Sequence, residues 1–407
     1  MKKLIQKVRM VPNKSLTLIL VITGIIGLVA PVQSLADKSP TEVKISKSIY
    51  PGLNHFLDLV DPVKNIAFDQ TMVAGVMEFI EAPKDDHTLY FADDLLSMPS
   101  AYHEFDSRID LRKISEYAFS PDIPCVATMP TSVRLFHWMD LRGQRRPTPR
   151  VVGYLADLKD PVVEKTLQFV EITPDTNSGA YYGYTLHQTM ILFKYRGRKV
   201  LVTLSRQTDV SSVGKKGYVL GSDDNWDYFY SGQKGLTIPA LGWVNSYMYG
   251  SSAINIYYEL DPGSPRVRCA MFKWLRAGWS GINMVQRKHI YYGLKRFAGP
   301  FKQIMEHPGL PPAKAMAVDF SNIRQFSDDT LRSKMNLYSD ILKRRYNGNG
   351  HNGSKKVVRM MNDKSHWSGM SREEMEAALV IEYMKAAIGK TNVAEVEDLL
   401  GFKTVLQ

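Results

Sequence analysis

Apolar positions follow three successive patterns along the chain: helical, then strand-like, then helical again. Behind Asp61-Pro62, residues Ile66, Val73, Met77 and Ile80 recur at helical spacing as far as Pro83. An N-cap aspartate followed by proline at the first helical position predicts a helix across 63–82. The stretch before it, from residue 37 to 60, reads as an extended lead-in, and 110–117 as a shorter helix stopped near Pro121.

The character changes after residue 125. Residues 126–138 supply strands around a proline break, and 167–173 reads as another strand. Two β-rich runs, 181–195 and 198–206, flank Arg196-Gly197, which predicts a hairpin with a short turn. Val200, Val202 and Leu204 then share one face, and Leu201, Thr203 and Ser205 share the other, which is partly wet. Residues 217–260 are dense in glycine and aromatics and favour strands.

Helical spacing returns at 282–306, with a kink or split expected at Gly299-Pro300, and again at 328–345. Residues 347–356 read as an exposed loop. Ser371 and Glu374 form a capping box, Gly389 ends that helix, and a last one over 393–400 stops at Gly401.

Strand–helix alternation is absent from the middle. The layout therefore predicts an α+β fold: a mainly antiparallel, aromatic-rich central sheet with N-terminal and C-terminal helices. The expected regions are a leader at 1–36, a mostly helical part at 37–124, a strand-rich core at 125–280, and a helical part at 281–407 packed on the same domain.

The leader changes how the charge is read. Lys2, Lys3, Lys7, Arg9 and Lys14 precede an apolar run at 16–30, followed by small residues at Ser34 and Ala36. That order matches a secretory signal cut after Ala36, placing the mature chain in the periplasm. The run is 15 residues long, where a spanning helix wants roughly 20. An uncleaved inner-membrane tether is the alternative. Five of the 52 Lys and Arg and none of the 41 acids lie in the leader, so the remainder carries about +6 rather than +11. This excess does not call for nucleic acid. It permits peripheral contact with anionic lipid or an acidic polymer.

Candidate chemistry concentrates in the middle. Asp223, Asn225 and Asp227 have the one-three-five spacing of an oxygen-rich calcium loop, although Tyr228 and Lys234 stand where an EF-hand needs glycine and glutamate. A self-capping turn explains the same residues. Trp226, Tyr228, Tyr230, Trp243 and Tyr257 combine apolar area with polar tips, suiting either a ligand surface or an ordinary core. Asp227 and Glu259 could serve as paired carboxylates in such a groove. His187, on a strand of the hairpin, is the best-placed imidazole for catalysis.

Cys125 and Cys269 would be free to pair after export. There is no CxxC, HExxH, GxxxxGK[ST] or strand–helix GxGxxG, so thioredoxin chemistry, zinc-peptidase chemistry and nucleotide binding lack a basis. The sequence thus predicts an exported envelope protein that binds a ligand or partner, whether polymer, lipid or protein, through its aromatic middle. A hydrolase of glycan or lipid using His187, Asp227 or Glu259 is the alternative.

Overall fold

The long hairpin anticipated from Arg196-Gly197 is the centre of the molecule. Both turn residues have positive φ, +48° and +78°, as a two-residue hairpin turn requires. The computed structural model describes residues 39–406 except 147, 239–241, 262, 347–359 and 361–368.

The first third holds β1 (Thr41–Lys44), α1 (Tyr50–Leu59), α2 (Ala74–Glu81), β2 (Thr88–Phe91), β3 (Ser100–Ser107) and α3 (Leu111–Ala118). The strand-rich part begins with β4 (Val133–Met139), β5 (Val162–Ile172), β6 (Ala180–Tyr181), β7 (Gly183–Tyr195) and β8 (Arg198–Gln207). It continues with β9 (Lys215–Val219), β10 (Tyr228–Lys234), β11 (Leu236–Ile238) and β12 (Gly242–Val244). It closes with β13 (Ser246–Glu259), β14 (Val267–Trp279) and β15 (Ile282–Asn283). The helices α4 (Arg287–Met305), α5 (Ala313–Arg324), α6 (Asp328–Tyr346), α7 (Arg372–Ala387) and α8 (Val393–Leu400) complete the chain.

The main sheet runs in the order β1-β2-β3-β14-β13-β8-β7-β5-β4, with β15 added on β14. Its pairs are antiparallel apart from β1–β2. The fold is α+β, as expected. A small sheet, β10-β9-β6, and a β11-β12 ribbon lie off the main path.

Alternation along the strands divides the main sheet into two apolar faces. The outer face presents Ile191, Phe193, Val200, Val202, Ile254, Phe272 and Trp274, and it packs with Leu53 and Phe56 of α1 and Val76, Met77 and Ile80 of α2. On the inner face Met190, Leu192, Leu201, Tyr257 and Cys269 share a core with α3 and the C-terminal helices.

Several expectations change. The lead-in contains a strand and α1. The 37–124 region gives three strands to the main sheet as well as its helices. The helix expected behind Asp61-Pro62 begins only at Ala74; the Asp61 carboxylate closes a local turn that no helix follows. It accepts from the Val63 N–H at 3.0 Å and holds Arg206 at 2.6 Å. Helix α4 runs through Pro300 unbroken. Proline cannot donate to the carbonyl four residues back, that of Arg296. The Thr131 hydroxyl donates to that oxygen instead, at 2.9 Å.

The capping box at Ser371 and the stop at Gly401, with φ of +76°, form as expected. The loop at 347–356 lies outside the described residues. So does the leader, so the export reading finds no support in the structure. Among the described residues no helix is long and apolar enough to cross a membrane.

Candidate functional site

Trp226, Tyr228 and Tyr230 come together where the small sheet meets α7, and the acids around them are fully engaged. Asp223 receives both arms of Arg296, at 2.6 and 2.7 Å, and the Tyr228 hydroxyl at 2.9 Å. Asn225 donates to the Tyr346 hydroxyl at 3.2 Å. Buried Asp227 accepts from Tyr346 at 2.7 Å and from Lys385 through a short contact. Lys385 also bonds Glu382 at 2.6 Å, and Arg345 bonds Glu382 at 3.0 Å. Arg134 completes this seam, with Glu171 at 2.8 Å, Glu374 at 2.7 Å and the face of Tyr230 at 3.8 Å.

Asp223 and Asp227 therefore pair with separate protein cations, Arg296 and Lys385. Ser222 caps the short turn at Asp223–Asn225, and Trp226 closes it in the left-handed region. Among the described residues no group of three or more His, Cys, Asp or Glu side chains converges as a metal site.

Arg134, Trp226, Tyr228 and Tyr230 line a cavity of about 30 Å³, room for a water or two. The buried Trp226 Nε1 and Tyr230 Oη groups lack a hydrogen-bond partner.

The remaining expected site residues are scattered. Trp243 is 51 % exposed on β12, its indole N–H donating to the Lys234 carbonyl at 2.7 Å. Tyr257 is buried on the inner sheet face, opposite Cys269. His187 lies on the outer face opposite Arg206; burial, then the Arg206 charge, lowers its pKa. Glu259 ends β13 and accepts from the Lys199 N–H at 3.0 Å. His187, Asp227 and Glu259 share no site.

The expected disulfide is corrected as well, since both cysteines are free. Cys125 points to the Ala118 carbonyl at 4.0 Å. Burial pushes its thiol up to about 12 and raises that of Cys269 further.

A different site lies on the inner face of the main sheet. Register places Ala101, Lys273, Ala253, Ser205, Gln188 and Thr166 side by side on β3, β14, β13, β8, β7 and β5. From β14 to β5 this row spans roughly 19 Å. It divides the core containing Tyr257, Cys269 and Leu201 from a second apolar cluster containing Tyr184, Leu186 and Met248.

Lys273 has an alanine on each neighbouring strand, Ala101 on β3 and Ala253 on β13. Its Nζ bonds the Ser251 hydroxyl at 2.7 Å, and Ser251 is 1 % exposed. Tyr184 bonds the same hydroxyl, and burial pushes its phenol up to about 12. Desolvation alone lowers the Lys273 pKa from 10.5 to about 8, with no carboxylate acting on it. Nearby polar demand is also unmet. Gln207, on the rung beyond the Ser252–Arg206 pair, has a buried Oε1 without a partner, as does the Thr166 hydroxyl at the far end of the row.

One signal for this site was present in the sequence. In CAMFKWLRAGW a single lysine sits in phase with Met271 and Leu275, so an apolar strand face is broken by one charge. No family model matches the chain, and neither curated proteins nor solved structures give a match.

Proposed function

We propose that this protein binds a small anionic ligand on the inner face of its main sheet, with Lys273 as the charge partner. The carrying observation is a desolvated lysine that faces a hydroxyl and no carboxylate. Burying a cation without a counter-charge is costly, and perturbed groups of this kind gather at functional sites. A ligand carboxylate or phosphate would supply the missing charge. Ser251 would orient the ammonium group, and a ligand donor would satisfy Gln207. This keeps binding as the function but moves it from the aromatic cluster to the sheet beneath it.

The test is thermal stability in the presence of acetate, succinate or inorganic phosphate. A ligand held at 100 times its Kd stabilises the fold by about 2.7 kcal/mol. The expected result is a shift in the wild type that is absent in Lys273→Met. Affinity should fall as pH rises through about 8, where Lys273 loses its proton. An equal shift in both proteins would reject Lys273 as the partner.

A further inference from the structure

The free end of the β13–β14 hairpin combines exposed apolar side chains with unpaired positive charge. Four large apolar residues are exposed there: Val210 at 54 %, Trp243 at 51 %, Ile282 at 48 % and Met284 at 38 %. Strand register brings their segments to one place. Ser246 opposes Trp279, which opposes Ile282. The Met284 N–H donates to Ala277 at 2.8 Å, and the Ser211 N–H donates to Met248 at 3.0 Å. Trp243 precedes Ser246 by three residues.

These residues are held outward by rigid structure. The Ser280-Gly281 turn has positive φ at both positions, +51° and +76°. The Gly281 N–H is pinned by the Tyr249 hydroxyl at 2.8 Å. The bond from Trp243 to Lys234 fixes its indole with half its surface in solvent. Holding such a surface apolar in water lacks a folding purpose.

Charge identifies the occupant. Lys234, Arg276 and Lys288 are exposed around this end. No Asp or Glu occurs from 266 to 305 or from 228 to 258; the acids brought near from elsewhere are Asp209 beside Val210, Asp175 facing His289, and Glu42 and Asp93, which Arg287 neutralises. An indole, aliphatic side chains and flanking cations together match the interface of an anionic bilayer: the ring sits at headgroup depth, the aliphatic groups enter the acyl boundary, and the cations meet the phosphates. Nucleic acid would use the cations but gain little from Ile282 and Met284.

We infer that this hairpin end is a docking surface for an anionic lipid membrane. It acts independently of the Lys273 site, which lies farther along the same strands. Each cation near an anionic leaflet raises partitioning about fivefold.

The test places an environment-sensitive fluorophore at Ile282→Cys in a Cys125→Ala background of the full chain; Cys269 is buried. The label reports contact at the hairpin even if another segment also binds lipid. Vesicles of phosphatidylcholine with phosphatidylglycerol should shift the emission to the blue, and pure phosphatidylcholine should not. Salt at about 1 M, which cuts the screening length to about 3 Å, should reverse the shift. Arg276→Glu with Lys288→Glu should weaken the response at least about tenfold with the thermal melt unchanged. An unshifted label on vesicle-bound protein overturns the inference. So does an equal response to neutral vesicles, or a response to an oligonucleotide in place of lipid.

Discussion

Lys385 on α7 is buried and Lys273 on β14 is half-buried; both are held by regular structure, and they differ above all in what faces them. Lys385 meets two carboxylates, Asp227 and Glu382, and Arg345 balances the second. Lys273 meets the Ser251 hydroxyl, which brings no charge. Arg134 and Arg296 follow the first pattern, each with an acid in contact. In the seam the desolvation cost is offset by attraction within the fold, and the same contacts fix α6 and α7 against the small sheet. At Lys273 the cost stands. Stability accounts for the seam lysine and leaves the sheet lysine unexplained, which is why the ligand reading rests on the second.

The strongest test of the contrast is to give both lysines the same substitution. Lys385→Met should destabilise the protein by about 3–5 kcal/mol in urea denaturation, because Asp227 and Glu382 are left buried beside too little positive charge. Lys273→Met should instead stabilise the ligand-free protein by about 1–3 kcal/mol at pH 7. If both variants lose stability, the two lysines are alike and the contrast fails.

The gain at Lys273 also carries a pH signature. Its pKa is about 8 in the fold against 10.5 for an ordinary lysine, so the unfolded chain holds the proton that the folded chain releases between these values. The penalty is therefore complete below pH 8, and stability rises with pH until about 10.5. The advantage of Lys273→Met over the wild type should shrink across that window, by up to roughly 3 kcal/mol. A constant advantage from pH 7 to 10.5 would mean that lost packing, and not charge, sets the difference.

Local signals made much of the fold legible. Arg196-Gly197 announced the central hairpin, and Asp110, Ser371 and Gly401 marked helix ends that form as read. What failed depended on distant partners. Asp61 makes the cap-type bond to the Val63 N–H, yet no helix follows, and its second oxygen holds Arg206, 145 residues away. Pro300 resembled a break until Thr131 supplied the missing donor. The counter-charge of Asp227, Lys385, lies 158 residues further on, beyond any local reading. Lys273 was overlooked for the opposite reason. One lysine in a strand reads as a solvent-facing residue, and it stands out only once its neighbours Ala101, Ala253 and Ser251 are known.

The smallest expected effect concerns how the seam helix starts. Ser371 Oγ accepts from the Glu374 N–H, while the Glu374 carboxylate accepts from the Ser371 N–H at 2.7 Å and also holds Arg134. One glutamate thus joins the cap of α7 to the buried cation network. Ser371→Ala should cost about 1 kcal/mol, and Ser371→Gly a few tenths. The anion-induced shift assigned to Lys273 should be unchanged in both, because the cap belongs to the part of the molecule where charges are already paired. A loss near that of Lys385→Met would show that the cap and the Arg134 cluster form one cooperative unit. A weakened anion response would tie the seam to the sheet site and end the division between them.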